Sequence, residues 1–371
     1  GASAGALMAS RDAPMLSLLS AAAAASAALA VPCLQAGDKR GDAPRVRPSM
    51  YVLLAGVVIA TVHAPSLREF AAGFMACAGV VAWAMWRSRG DGGASAVRRS
   101  VYAGLLGGVA LMIVGAVSSV GALDPVHIDA AKGAVSTLAR QRICAALLFV
   151  ALTLGSPLLP ALPQWRGAQE RRADLVLLRW LAWLPALRVV GEVGPSVAPV
   201  VWGEWASPFA WGWVALAAGM IVFRGHAHQR VTPSPARNDG WRTFSLGVSA
   251  AAMLGAWTGT AGGAVGAAFM WIAMTIALSV ACLGEAGSSE RRPSRRSLVI
   301  TGGAVALCVG GVGSPLSLGI PAIVRSLVSG ESTQIPTGGA FAVTAVVLVL
   351  WGGVVTMREL LVAGDRRRGE G

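Results

Sequence analysis

The stretch FAAGFMACAGVVAWAMW (residues 70–86), RSRGDGGASAVRRS (87–100) and VYAGLLGGVALMIVGAVSSVGAL (101–123) decides the fold. Both apolar runs fall in the range of about 17 to 25 residues that a helix needs to cross a bilayer. The connection between them is short and carries Arg87, Arg89, Arg98 and Arg99. Apolar runs joined by short arginine-rich connections are the pattern of a chain that crosses a membrane and returns.

The same pattern extends in both directions. Apolar segments occur at 15–34, 50–63, 70–86, 101–123, 143–159, 175–190, 208–223, 243–257, 262–283, 298–328 and 339–357. The expectation is an all-α polytopic membrane protein with about eleven transmembrane helices. Every second connection is basic: those with Arg45 and Arg47, 87–99, 166–172, 224–242 and 291–296, then the tail 366–368. The connections between them are neutral, mixed or acidic and hold Glu192 with Glu204, 258–261, and Glu331. The positive-inside rule places the basic set and the C-terminus in the cytoplasm or matrix, with the first residues opposite. The reading is one transmembrane domain over 1–371, with a first helical group at 15–190, a second at 208–357 and a basic tail at 358–371.

Composition agrees. Of 371 residues, 55% are hydrophobic and 13% charged, and the mean hydropathy is +0.62. That leaves too little polar surface for a water-soluble globule of this size. The net charge of +13 is no sign of a nucleic-acid partner, because the arginines sit in connections between apolar spans rather than on one basic face. Lys39 and Lys132 are the only lysines, beside abundant Ala and Gly, a bias that points to a GC-rich gene. Gly1 stands where an initiating Met would be expected, which leaves processing or truncation open, and no signal peptide is assigned. Cys33, Cys77, Cys144, Cys282 and Cys308 are scattered and read as small packing residues. His226 and His228 have no ligand partner at useful spacing, and His63 and His127 flank spans as interfacial residues; no metal site is expected. The thirteen tryptophans, among them Trp180, Trp183, Trp202, Trp205, Trp211 and Trp213, gather towards span ends and read as interfacial anchors.

Charges within spans carry the functional signal, since each costs a few kcal/mol at the bilayer centre unless paired or hydrated. The candidates are Arg179, Arg188, Glu192 and Arg325. Arg188 and Glu192 are four apart, a spacing at which guanidinium and carboxylate meet. Two readings stay open: a paired charge inside the span, or a boundary position from which Arg188 snorkels. Arg179 is one turn from a basic connection and reads as a snorkelling residue. The segment 298–328 is too long for a simple crossing and carries Gly313, Pro315, Gly319 and Pro321. Either a helix broken near mid-membrane or an ordinary proline kink accounts for it. No phosphate-binding loop, HExxH, GxSxG or Cys-x-x-Cys occurs. The glycine-rich stretch 259–266 reads as a tight connection between helices.

Several short stretches, in order, resemble the antiporter-like membrane-arm subunits of respiratory complex I, most closely subunit 2, called subunit N in bacteria. They are GALMASRD (5–12) before an Ala-rich span; PALPQW (160–165) followed by LPALR (184–188); RTFSLGVSAAAMLG (242–255); and GIPA (319–322). The family glutamate falls near Ala21 and is missing. Pro185 stands on the family's proline and Ala186 on its lysine, with Arg188 the nearest cation. Ser156 stands near another family lysine. Ser249 and Gly255 match, while Val248 and Met253 hold tyrosine and histidine positions. No lysine follows Gly319 and Pro321, where Arg325 is the closest substitute.

The resemblance implies two inverted five-helix repeats, each with a broken helix, and marks Pro185, Gly319 and Pro321 as broken-helix positions. It also implies a place in a proton-translocating NADH:ubiquinone oxidoreductase of the respiratory chain, in shortened form without the first helices. Neighbouring membrane-arm subunits and lipids are the implied partners, with no cofactor in this chain. Family lysines pass protons because a buried amine lowers its pKa readily, whereas arginine stays charged. The expectation is therefore a retained scaffold with a degenerate proton path. The alternatives are a free-standing secondary transporter or a structural or assembly membrane subunit. The mitochondrial inner membrane, with basic loops on the matrix side, is the expected location, and a bacterial plasma membrane stays open.

Overall fold

The computed structural model describes residues 2–38, 46–87, 94–117, 137–155, 173–202, 239–286 and 314–328, with scattered helical positions at 204, 205, 208, 212, 215, 219 and 303. Described residues are helical, with no β-strand among them. In chain order the helices are α1 (Ala2–Asp38), α2 (Pro48–Val62), α3 (Leu67–Arg87), α4 (Ala94–Val117), α5 (Leu138–Gly155), α6 (Ala173–Ala182) and α7 (Leu184–Arg188). A π-helical turn, Val189–Val193, then leads into α8 (Gly194–Val197), followed by α9 (Asp239–Trp257), α10 (Ala261–Ala286) and α11 (Pro315–Val328).

Among the described residues, three helical stretches are long and apolar enough to cross a membrane: Ser17–Gln35, Leu67–Arg87 and Ala261–Val280. Shorter apolar helices are Pro48–Val62, Val101–Val117, Gly247–Trp257 and Ser317–Val328. The spans expected at 208–223 and 339–357, the first half of 298–328 and the basic tail lie outside the described residues, apart from those isolated positions.

Helix ends follow local chemistry. Pro48 sits in the first turn of α2, where its missing N–H costs nothing. Between α9 and α10 the chain turns at Gly259, whose φ of +63° suits a residue without Cβ. Thr260 then caps α10, its Oγ1 accepting from Gly263 N at 3.0 Å. The tight connection is thus confined to 258–260, and residues 261–266, read as part of it, belong to α10.

Sequential helices pack on each other: α1 on α2, α2 on α3, α3 on α4, α4 on α5, α9 on α10 and α10 on α11. The closing contact is between α1 and α10, where Ser26 and Thr275 hydroxyls meet at 3.2 Å in a buried setting. Small residues allow these approaches. A Cβ added to Gly319 would stand 3.0 Å from Gly266 O and 3.1 Å from Phe269 Cβ, so α10 and α11 cross almost backbone to backbone.

The segment α6 to α8 threads the middle. It touches α1, α2, α3, α5, α9 and α10, and from Asp174 to Gly194 every residue is buried except Val176, Arg179, Ala182 and Gly191, which are half-buried. A helix buried on every face belongs between other helices. This corrects the reading of the tryptophans as interfacial anchors: Trp180, Trp183 and Trp202 are wholly buried, as are Trp257 and Trp271. Trp180 stacks on Trp271 with centroids 4.2 Å apart, and Trp202 stacks on Trp257 at 5.3 Å. Trp205 is half-buried against Phe149, while Trp211 and Trp213 lie outside the described residues.

Candidate functional site

Two prolines shape the central segment. Pro185 and Pro195 each open a short helix, α7 and α8. A proline lacks the N–H that would continue the preceding turn. At the first, the chain turns at Trp183, with Trp183 N bonded to Trp180 O at 3.2 Å and Ala186 N to Trp183 O at 2.9 Å. Ahead of the second, the turn widens, and Gly194 N–H donates to Val189 O, five residues back. Such π-turns inside helices are frequent at functional sites. Pro185 thus follows an interruption of the central helix at Trp183.

The interruption holds a buried ion pair. Arg188 Nε donates to Glu192 Oε2 at 2.5 Å, and the two side chains are 2% and 7% exposed. Arg188 Nη1 also donates to Val62 O at 2.5 Å and to Ala64 O at 3.0 Å. These carbonyls close the C-terminal end of α2, where the helix macrodipole is negative and favours a cation. The Phe70 ring lies 5.7 Å from the guanidinium carbon, on the first turn of α3. Arg188 therefore ties the end of α2 and the start of α3 to the central segment. It is paired and enclosed rather than snorkelling. Beside it, exposed His63 meets Ser20 through Nε2 at 2.6 Å.

The opposite end of the segment is fixed by Asp174. Its carboxylate accepts from Val46 N and Leu175 N, each at 3.0 Å. Val46 precedes α2 and Asp174 opens α6, so the two helices start at one end of the bundle. In the sequence both starts adjoin basic connections.

The remaining candidates are not brought to this pair. Arg179 is half-buried and donates from Nη2 to Met85 Sδ at 3.4 Å, near the end of α3. Arg325 is exposed on α11, and Glu204 is exposed. Gly319 and Pro321 lie inside the continuous helix α11, so the break expected at those two positions is corrected. Pro321 faces outward and removes one helical hydrogen bond, while the close Gly319–Gly266 crossing holds the turn in place. Gly313 and Ser156 lie outside the described residues, as do both lysines and the motif at 160–165.

Among the described residues no three His, Cys, Asp or Glu gather in a way that could hold a metal ion. Cys77, Cys144 and Cys282 are buried and Cys33 is half-buried, with no disulfide among these described cysteines. The positions that the family resemblance singled out in α9, Val248, Ser249, Met253 and Gly255, are all buried. Chemically, the Arg188–Glu192 pair can hold helices together and can orient a carboxylate. It offers no amine able to release a proton at accessible pH. No protein-family model matches the chain, and no curated protein matches it.

Proposed function

We propose that this chain is an antiporter-like membrane-arm subunit of a proton-translocating NADH:ubiquinone oxidoreductase, with a degenerate proton path of its own. In this reading it crosses the membrane about eleven times in two inverted repeats, with basic loops on the matrix or cytoplasmic side. The mitochondrial inner membrane is its home. Neighbouring membrane-arm subunits and lipids surround it.

One observation carries the proposal. The central segment is interrupted at Trp183, just ahead of Pro185, where the resemblance expects a break, and the cation at that interruption is Arg188, fastened to Glu192 and to the end of α2. A lysine there could cycle between charged and neutral forms; an arginine so held stays charged and stationary.

The test is the proton-to-electron stoichiometry of the assembled membrane complex carrying Arg188→Met with Glu192→Met. The paired change removes both charges at once and so avoids stranding one of them. An unchanged stoichiometry with intact assembly supports a silent module. A large loss with intact assembly defeats it.

An interrupted central helix holding a charge pair is equally natural in a free-standing secondary transporter. Recovery of the chain alone, stable and catalysing ion-coupled uptake in vesicles, would favour that second reading. Recovery in a large NADH-oxidising complex favours the first.

A further inference from the structure

We propose that the end of the α3–α4 hairpin next to the 87–100 connection binds the headgroup of an anionic phospholipid. The proposal rests on the chain lying in a membrane and not on its place in any complex.

Trp83, Trp86 and Arg87 occupy one face of the last turn of α3. Both indoles are exposed, Trp83 at 41% and Trp86 at 57%, and the Arg87 guanidinium carbon lies 5.1 Å from the Trp83 ring centroid. Tyr102 on α4 is exposed at 60%. The hairpin register, with Gly104 on Ala78, Gly108 on Met75 and Gly115 on Leu67, sets it level with Val80, deeper than the cluster. An arginine stacked on one indole, with a second indole exposed on the same face, offers donors to a phosphate and amphipathic rings to the glycerol region.

Below this cluster α4 continues as an exposed apolar stripe of Leu105, Leu106, Val109, Met112 and Ile113, a surface for acyl chains. The connection it adjoins carries four arginines against Asp91 alone. That charge selects an anionic headgroup over a zwitterionic one.

The experiment follows thermal unfolding of the full chain in a neutral detergent, titrated with phosphatidylglycerol, phosphatidylcholine or inorganic phosphate. Phosphatidylglycerol is expected to stabilise at the lowest concentration. Arg87→Gln should raise its half-saturating concentration by about fivefold, Trp86→Leu should also raise it, and Arg325→Gln should leave it unmoved. Equal stabilisation by phosphatidylcholine, or by phosphate alone, would overturn the proposal. So would an unmoved titration in Arg87→Gln, or an equal shift in Arg325→Gln.

Discussion

The six-membered ring of Trp202 occupies the space that a side chain on Gly194 would fill. A Cβ at that position would overlap three ring atoms. Trp202 is also wholly buried and packed against two rings, Phe149 at 4.8 Å and Trp257 at 5.3 Å, which are themselves 6.0 Å apart. The ring has nowhere to go.

Gly194→Ala is accordingly expected to cost about 1–3 kcal/mol, the usual penalty for overpacking a filled core. The loss should appear in thermal unfolding of the detergent-solubilised chain. It should also move the near-ultraviolet signal of the tryptophan stack. An unshifted melting temperature would mean that Trp202 and Gly194 are not in contact.

Arg188 and Glu192 call for a comparison of single and double substitutions. Arg188→Ala strands a buried carboxylate and frees Val62 O and Ala64 O at once, so a loss of about 3–5 kcal/mol is expected. Arg188→Met combined with Glu192→Met removes both charges and keeps volume, and most of that loss should return. If the double variant unfolds as readily as the single one, the pair is not what holds α2 to the central segment.

Much of this architecture is legible in the sequence. The apolar run at 50–63 becomes Pro48–Val62, the run at 70–86 becomes Leu67–Arg87, and the pause between 257 and 262 becomes the Thr258 to Thr260 turn. Spacing alone brings Arg188 to Glu192, because residues four apart face each other on a helix. The partners of Arg188 on α2 have no such signature. Val62 O and Ala64 O are backbone atoms more than 120 residues away, and no residue type announces a carbonyl.

The tryptophans show a second limit. A tryptophan near the end of an apolar run reads as a membrane-surface anchor when its helix is taken alone. Trp180 and Trp183 are instead enclosed because α6 and α7 run between α1, α2, α9 and α10. Which helix lies in the middle depends on the packing of all the others. Pro321 is a third case: proline predicts a break from local geometry, yet α11 carries it on its outer face.

Arg325 separates charge as such from charge in place. It lies exposed on α11, away from the buried pair, so Arg325→Gln should change stability by no more than about 0.5 kcal/mol. Proton-to-electron stoichiometry should not change either. A clear loss of pumping in that variant would mean that the chain keeps a proton path of its own, running through α11.

The glycines of the bundle provide the sharpest contrast, because identical substitutions should act in opposite directions. A Cβ on Gly266 would stand 2.9 Å from Gly319 O and 3.2 Å from Ile323 N. Both are backbone atoms of α11 that cannot rotate aside, so Gly266→Ala must push two helices apart, at a cost of about 1–3 kcal/mol. Gly79, on the outer face of α3, has nothing within 4 Å of its added Cβ. There Gly79→Ala gains helix propensity of about 0.8–1 kcal/mol without a clash. Melting temperatures of the two variants should therefore fall on either side of the parent chain. If Gly266→Ala melts at or above the parent temperature, α10 and α11 do not cross at Gly266 and Gly319.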